Sequence, residues 1–181
     1  MIAGYNGNFP DIYSTICDVM CRIEIILRPL LPDDAKVSWR WRNDADVWKY
    51  TFNRPDRLIT EKMEKEWIMK VLNDENRCNF AICVKETRLY IGNAYLNAIN
   101  GESASFGIFI GEKKYWGKGI GTEVTRQVLE YAFKKLHLKR VKLGVKADNV
   151  AGIKAYMKAG FRKKTQDGDN VWMMVENSSH D

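Results

Sequence analysis

The chain is poor in the residues that build metal centres and disulfide frameworks. Its 181 residues include only two histidines and four cysteines, and neither histidine lies near a pair of cysteines in the sequence. A zinc site is therefore not expected. Cys78 and Cys83 are expected to be reduced structural thiols, because a chain of this length can bury a core without disulfides. Cys17 and Cys21 stand one helical turn apart, and the pattern assigns them no role.

Long apolar runs are absent as well. No stretch approaches the roughly 18 residues that a membrane-spanning helix needs. Residues 1–22 lack the basic start and the continuous apolar centre of a signal peptide. The sequence therefore predicts a cytoplasmic protein with no membrane partner. Its hydrophobic content of 45% suits a single globular domain over residues 23–176, with an N-terminal extension of unclear role (1–22) and a short C-terminal tail (177–181).

Positive charge is concentrated in one part of the chain. Residues 113–164 hold 15 lysines and arginines against three acidic residues, a net charge of +12, whereas the whole chain carries +6. Such a field attracts a polyanion, and a phosphorylated cofactor and nucleic acid are the two candidate ligands. Nucleic acid is the weaker candidate, because the basic residues of 134–146 alternate with aliphatic residues and not with aromatic residues for base stacking. A solvated basic face without a ligand is the third interpretation.

Periodicity predicts a single mixed, mostly antiparallel sheet with helices on both faces. Stretches rich in β-branched and aromatic residues predict strands at residues 23–30, 79–85, 89–99, 103–111, 139–147 and 171–176. Helical spacing of apolar residues predicts helices at residues 35–44, 44–51, 61–74, 120–136 and 149–160. Asn100 and Gly101 predict a tight hairpin between two of the strands.

Three glycines alternate with other residues just before one predicted helix. They are Gly117, Gly119 and Gly121 in the segment YWGKGIGT. Glycine permits positive φ and a close approach to the backbone, and a helix N-terminus offers unpaired N–H groups. The loop therefore suits a phosphate group. Its spacing matches neither the G-x-G-x-x-G dinucleotide fingerprint nor the P-loop, and the glycines alone are equally compatible with a tight turn that binds nothing.

The loop resembles the pyrophosphate loop of the GNAT superfamily of acetyl-CoA-dependent N-acetyltransferases, which reads [QR]-x-x-G-x-[GA] and opens the central helix. Trp116 stands at the first position, as in the branch that includes bacterial ribosomal-protein N-acetyltransferases. A second segment, NVAGIKAYMKAGF, resembles the family's N-x-x-A-x-x-x-Y-x-x-x-G-F motif. It has Asn149 and Tyr156 in place, and Gly152 where alanine is usual. The resemblance covers residues 23–176.

This resemblance implies an enzyme that transfers the acetyl group of acetyl-CoA to a primary amine by direct attack in a ternary complex, without a metal. It implies Tyr156 as the general acid for the leaving thiolate. The backbone of Phe109 and Ile110 would face the acetyl group, and Asn149 would hold the pantetheine or a water. The remaining implied cofactor contacts are Trp116, Gly117, Lys118, Gly119, Ile120, Gly121 and Thr122. Lys113 and Lys114 are close enough in sequence to add charge.

The sequence departs from the family pattern at Ser105, where relatives often carry a glutamate that acts as a base. Serine is not a base near neutral pH, so the amine proton must leave through water, through Glu102 or through Glu112, or the amine must arrive neutral. A lysine ε-amine is neutral about once in 2,500 molecules at pH 7, whereas an α-amine is neutral in about one-tenth. The departure therefore favours an acceptor of low pKa, such as a protein N-terminus or an amino sugar.

The acceptor side is expected to come from the helices before the first hairpin. Its candidate residues are Trp39, Trp41, Trp48, Tyr50, Asp44, Asp46 and Asn53. Core packing is the commoner role of such aromatic residues, and capping or solvation the commoner role of the polar ones. A non-catalytic acetyl-CoA-binding module on the same fold is the alternative function, for which Ser105 is the main argument. The sequence leaves monomer and homodimer equally open.

Overall fold

Seven strands form one mixed sheet. The computed structural model describes residues 23–51 and 55–177. The strands are β1 (Ile25–Pro29), β2 (Cys78–Val84), β3 (Tyr90–Asn97), β4 (Ser103–Ile110), β5 (Arg140–Lys146), β6 (Arg162–Asp167) and β7 (Asn170–Glu176). They lie in the order β1-β2-β3-β4-β5-β7-β6, and every neighbouring pair is antiparallel except β4 and β5. The predicted mixed, mostly antiparallel sheet is confirmed.

Helices cover the sheet on two faces. They are α1 (Ala35–Arg42), α2 (Ala45–Trp48), α3 (Glu61–Leu72), α4 (Ile120–Lys134) and α5 (Val150–Lys158), with short 3-10 turns at Pro32–Asp34 and Lys113–Tyr115. One face of β2 and β3 packs through Ala81 and Tyr90 against α1–α3, and we call it the α1–α3 face. The opposite face packs against α4 through Ile82 and Leu96, and we call it the α4 face.

The α4 face holds the larger core. Val124, Val128 and Ala132 are fully buried, as the helical spacing predicts. They pack in one cluster with strand residues such as Ile91 and Val141. Because burying one such aliphatic side chain contributes about 1.5–3 kcal/mol, this cluster fixes α4 across the centre of the sheet. The helix that follows the glycine loop is therefore held rigidly along its length.

The N-terminal ends of the helices show where local sequence signals decide structure. The Thr60 hydroxyl accepts a hydrogen bond from the Met63 N–H at the start of α3, as expected of a capping threonine. The side chain of Asp34 does not cap α1, which begins at the next residue. Its carboxylate accepts a hydrogen bond from the Arg28 guanidinium at 2.8 Å and another from the Leu31 N–H, so it ties β1 to the following turn.

Strand β6 is absent from the sequence prediction. Its six residues, RKKTQD, are all exposed and show no apolar alternation, which is the signal on which the prediction depends. The strand forms because a tight turn at Gly168, with φ +53°, folds it back onto β7. An exposed edge strand of basic and polar residues also resists pairing with other chains.

Strands β4 and β5 separate along their length. Their parallel pairing joins only Ser103, Ala104 and Ser105 to the residues 140–142 of β5, although β4 continues to Ile110 and β5 to Lys146. The backbone of β4 beyond Ser105 therefore has no strand on that side. We call the space between residues 106–110 and 143–146 the strand gap.

The described residues contain no group of three or more histidine, cysteine, aspartate or glutamate side chains placed to hold a metal ion. No helix within those ranges is long and apolar enough to cross a membrane. Cys78 and Cys83 are free thiols in the sheet, and Cys83 is buried. Asn53, Cys17 and Cys21 lie outside the described residues.

Candidate active site

The glycine loop presents a run of unpaired backbone donors. Gly117 and Gly119 have φ of +73° and +77°, and a Cβ built on Gly117, Gly119 or Gly121 would meet no heavy atom within 4 Å. Helix α4 begins at Ile120, and no side chain caps it. From Gly117 to Gly121 no N–H group donates to an acceptor in the described ranges. This open, uncapped N-terminus has the geometry and partial positive charge that an anionic phosphate requires.

The residues that flank these donors hold the loop in place. The Trp116 indole N–H donates to the Ile110 carbonyl at 2.8 Å, so the loop is tied to the end of β4 beside the strand gap. The Thr122 hydroxyl donates to the Ala155 carbonyl of α5 at 3.4 Å. The side chains of Trp116 and Thr122 therefore act within the protein, although the Trp116 ring remains 42% exposed.

The three lysines near the loop have different surroundings. The Lys113 ammonium lies 2.8 Å from an Asp44 carboxylate oxygen and 2.7 Å from one of Asp46, so its charge is compensated by α2. The ammonium groups of Lys114 and Lys118 lie 5.2 and 5.8 Å from the ring centre of Tyr115. Asp44 and Asp46 thus pair with a cation of the chain itself, whereas Lys114 and Lys118 form no ion pair among the described residues, so their charges can attract an anion.

Backbone groups of β4 alternate between β3 and the strand gap. The Gly111 N–H donates to the Ile91 carbonyl of β3, and Phe109 pairs with Asn93 of β3. Because alternate residues of a strand direct their backbone groups to the same side, the Phe109 N–H also faces β3. The backbone groups of Ile110 and of residue 108 face the gap. This agrees with the hydrogen bond from the Trp116 indole to the Ile110 carbonyl.

Tyr156 approaches the gap from the α4 face. Its ring packs edge-on against Phe106 and Phe161, with centroid separations of 6.2 and 6.1 Å. Burial, with a smaller electrostatic contribution from Tyr95, raises the pKa of Tyr156 to about 12. Its hydroxyl forms no hydrogen bond with any residue that the structure describes. Tyr156 is therefore a protonated phenol at neutral pH with a free donor.

Asn149 caps the helix that carries Tyr156. Its side-chain oxygen accepts a hydrogen bond from the Gly152 N–H at 2.9 Å. A Cβ on Gly152 would lie 2.6 Å from the Asn149 amide nitrogen, so the Asn149 side chain would have to shift if alanine stood here. The amide oxygen of Asn149 is used in the cap, and its amide nitrogen is the group that remains for a ligand.

The candidate bases lie at opposite ends of β4. Ser105 is exposed and pairs with Lys142 at the last position before the strands separate. Glu102 precedes β4 and forms ion pairs with Lys139 at 2.6 Å and Arg140 at 3.3 Å. The hydrogen bond from Lys139 holds the pKa of Glu102 below its ordinary value. At about 3.3 Å per residue, Glu102 lies roughly 25 Å from the loop end of β4, too far to remove the amine proton there.

Glu112 lies at the loop end of β4. Its carboxylate accepts a hydrogen bond from the Trp41 indole N–H at 3.1 Å. Glu112, Trp41 and Asp44 line a cavity of about 340 Å³, together with Gly111, on which a Cβ would come within 2.0 Å of the Trp41 ring. Trp41 is a core residue that also forms one wall of this cavity.

A buried ionic cluster lies on the α1–α3 face and is not among the sequence predictions. Glu64 is 1% exposed, accepts a hydrogen bond from the Ser38 hydroxyl at 2.9 Å and lies 3.5 Å from the Arg42 Nε. The Arg42 guanidinium stacks between the rings of Trp48 and Trp67. Burial raises the pKa of Glu64 and lowers that of Arg42.

A signal for this cluster does exist in the sequence. Glu64 precedes Ile68 by four residues and Val71 by seven, so it falls on the apolar stripe of α3. A charged residue on a buried stripe requires a buried partner. The partner of Glu64 is an arginine of α1, and the sequence does not show which arginine of that helix forms the pair.

Comparison with known proteins identifies the family. A family model described as an acetyltransferase (GNAT) domain matches residues 24–162, and the chain belongs to this family. An uncharacterized N-acetyltransferase p20 of Bacillus licheniformis is 30% identical over 143 residues, which are 77% of this chain and 80% of that protein. The uncharacterized protein MJ1062 of Methanocaldococcus jannaschii is 26% identical over 85% of this chain, and the chain spans 31% of that protein's length.

Solved structures share the fold. A spermidine N-acetyltransferase from Vibrio cholerae, in complex with CoA and spermine, superposes with a TM-score of 0.77 at 24% identity, over 85% of this chain and 96% of that one. Aminoglycoside acetyltransferase AAC(6')-Ib, in complex with CoA and kanamycin, gives 0.70 at 19% identity, over 85% and 95%. The protein is an acetyl-CoA-dependent N-acetyltransferase.

Proposed function

We propose that the protein joins acetyl-CoA and a primary amine at the strand gap and transfers the acetyl group by direct attack in a ternary complex. The observation that carries this proposal is the run of unpaired N–H groups from Gly117 to Gly121, which lies next to the gap that the Tyr156 hydroxyl approaches. The run supplies the donors for the pyrophosphate. Holding both reactants in one site supplies much of the rate, because their encounter becomes effectively intramolecular.

The residues at the gap take separate parts in the reaction. Acetyl-CoA supplies the thioester. The gap-facing N–H of Ile110 stabilises the negative charge that develops on the acetyl oxygen as the amine nitrogen attacks the carbonyl carbon. Tyr156 donates a hydrogen bond to the sulfur as the carbon–sulfur bond breaks. The amine loses one proton and the thiolate gains one, so the overall transfer neither consumes nor releases a proton.

The acceptor that we propose is an amine of low pKa, such as a protein N-terminus or an amino sugar. Ser105 provides no carboxylate, and Glu102 lies at the wrong end of β4 and is paired with Lys139 and Arg140. An amine that is partly neutral at pH 7 needs no strong base. Kanamycin, which is bound in one structural relative, is an amino sugar and supports this class of acceptor, whereas the spermine bound in the other is a polyamine of high pKa.

Thiol release from acetyl-CoA with a panel of amines tests this function. The panel contains a peptide with a free α-amine, kanamycin, spermidine and a lysine peptide with a blocked N-terminus. We expect the highest kcat/KM with the α-amine or the amino sugar, and a rise in melting temperature with acetyl-CoA. The absence of any thermal shift at millimolar acetyl-CoA would contradict the proposed cofactor site.

The matched variant for the cofactor site is Gly121→Val. Gly121 lies in the first turn of α4 with an ordinary φ, and the space around it is open. Valine is therefore tolerated by the fold, and its branched side chain blocks the approach of an anion to the loop N–H groups. We expect this variant to keep its melting temperature without ligand and to lose the shift with acetyl-CoA.

A further inference from the structure

Tyr95 lies across β4 at the point where the strand gap opens. It pairs with Gly107 in the β3–β4 ladder, two residues beyond the last pairing of β4 with β5. A Cβ on Gly107 would lie 2.2 Å from the Tyr95 Cζ and 2.3 Å from its hydroxyl oxygen. The tyrosine ring therefore rests directly on the Gly107 backbone, and only glycine leaves room for it.

Tyr95 and Tyr156 reach the gap from opposite faces of the sheet. Tyr95 shares its side of the strands with Phe109, which packs with the α1–α3 cluster. Tyr156 packs on Phe106, which belongs to the α4 core. Neither hydroxyl forms a hydrogen bond to a described residue, and neither is among the fully buried polar atoms. An electrostatic contribution from Tyr95 also helps to raise the pKa of Tyr156.

Tyr95 lies near Ser105, the position at which relatives often carry a glutamate. Ser105 lies two residues before Gly107, on the same side of β4. The Tyr95 hydroxyl thus lies about 7 Å from the position whose carboxylate this chain lacks. The Arg77 guanidinium lies over the Tyr95 ring, 5.3 Å from its centre, and helps to hold the ring in place. The hydroxyl of the half-buried Tyr95 is therefore fixed on the acceptor side of the gap.

We propose that Tyr95 positions the acceptor amine by accepting a hydrogen bond from its N–H through the phenol oxygen. This inference rests on the proposed function and extends it. The hydrogen bond to Tyr95 orients the amine so that the nitrogen lone pair points toward the acetyl carbon. Tyr156, on the opposite face of the sheet, donates its hydrogen bond to the sulfur. Burial raises the pKa of Tyr95, so it remains a neutral phenol and accepts a hydrogen bond without taking the proton. The amine proton leaves to water.

Tyr95→Phe is the direct test, with Tyr131→Phe as its matched control. Tyr131 lies on α4 against Phe80, away from the gap. We expect kcat/KM for the best amine of the panel to fall about tenfold in Tyr95→Phe, the value of one neutral hydrogen bond. The KM for acetyl-CoA and the thermal shift with acetyl-CoA remain as in the wild type. Tyr131→Phe leaves all of these values unchanged.

Gly107→Ala provides a second, independent variant. Its methyl group displaces the Tyr95 ring, so the same loss in kcat/KM for the amine is expected, with no further loss when Tyr95→Phe is added. Carbon-13 labelling of tyrosine Cζ adds a measurement that needs no substrate, because the pKa of Tyr156 is expected to fall when the Tyr95 hydroxyl is removed. Unchanged amine kinetics in Tyr95→Phe overturn the inference alone, whereas a wild type that neither binds acetyl-CoA nor releases thiol overturns the proposed function with it.

Discussion

The two sides of the strand gap are constructed from different parts of the chain. On the cofactor side, the loop uses consecutive backbone groups of residues 117–121. On the acceptor side, the α1–α3 face joins side chains distant in sequence, such as Ser38 with Glu64 and Trp41 with Glu112. The cofactor side has an excess of lysine and arginine, whereas the acceptor side balances its charges in buried pairs. In the function that we propose, recognition of a common cofactor thus rests on local backbone geometry, and recognition of the acceptor rests on tertiary packing.

Gly119→Val is expected to have the largest effect, because it damages the cofactor side at its centre. Gly119 has φ +77°, so valine is strained there, and its side chain covers the loop donors. We expect acetyl-CoA binding by calorimetry, and with it turnover, to be lost. Gly101→Val is the matched control, since Gly101 has φ +81° and equally open surroundings at the distant β3–β4 hairpin. If both variants lose binding, strain and not blocked donors is the cause.

Tyr156→Phe is expected to have the next largest effect. It removes one hydroxyl and keeps the ring contacts with Phe106 and Phe161. If Tyr156 serves the leaving sulfur, kcat falls by roughly 10²–10⁴ while the affinity for acetyl-CoA is nearly unchanged. Single-turnover kinetics and calorimetry separate the two quantities. A normal kcat would assign Tyr156 to the core, and a lost unfolding transition would show that its role is structural.

The same comparison explains how much could be predicted. The order of strands, the glycine loop and the Tyr156 helix follow from local patterns, because each is encoded within a few turns of chain. The splitting of β4 from β5 cannot be seen locally, since it depends on where two distant strands stop pairing. For the same reason the sequence did not show that Glu102 lies far from the loop or that Tyr95 rests on Gly107. Strand β6 was missed because its six exposed residues carry no apolar period.

The preference among amines tests the acceptor side. The pKa values of an α-amine and a lysine ε-amine differ by about 2.5 units, so their neutral fractions at pH 7 differ roughly 300-fold. With no carboxylate at Ser105, kcat/KM is expected to favour the α-amine or amino sugar by up to that factor at pH 7. The rate with each amine rises with pH until that amine is deprotonated. If lysine peptides or spermidine are the best substrates at neutral pH, the argument from Ser105 is wrong.

Ser105→Glu sharpens this test by supplying a carboxylate at the edge of the gap. We expect the rise in rate to move to lower pH, because a base then assists the proton loss. Glu112→Gln is the companion variant, since Glu112 is the carboxylate at the loop end of β4. A shift of the rise to higher pH in Glu112→Gln would identify Glu112 as the base and remove the need for a neutral acceptor.

The smallest expected effect concerns stability and contrasts a buried carboxylate with an exposed one. Burial raises the pKa of Glu64 above its ordinary 4.5, so the native state binds that proton more tightly than the unfolded state. The contribution of Glu64 to stability is therefore greatest below pH 4.5 and is lost as the pH rises through the raised pKa. Glu102 has a lowered pKa, so its contribution is present above pH 4.5 and is lost as the pH falls.

Urea unfolding between pH 3.5 and 7 measures the two slopes. Glu64→Gln should remove a decline in stability above pH 4.5 of about 1.4 kcal/mol for each unit by which the pKa is raised. Glu102→Gln should remove only a shallow decline below pH 4.5, because exposed ion pairs contribute little. Glu64→Gln also removes the ionic partner of Arg42, which changes the free energy of unfolding by a constant amount over this pH range. The slope of the free energy with pH, and not its absolute value, is therefore the decisive measurement. If the stability difference between wild type and variant changes with pH in the same direction for both variants, the charge of Arg42, and not burial, governs the pKa of Glu64.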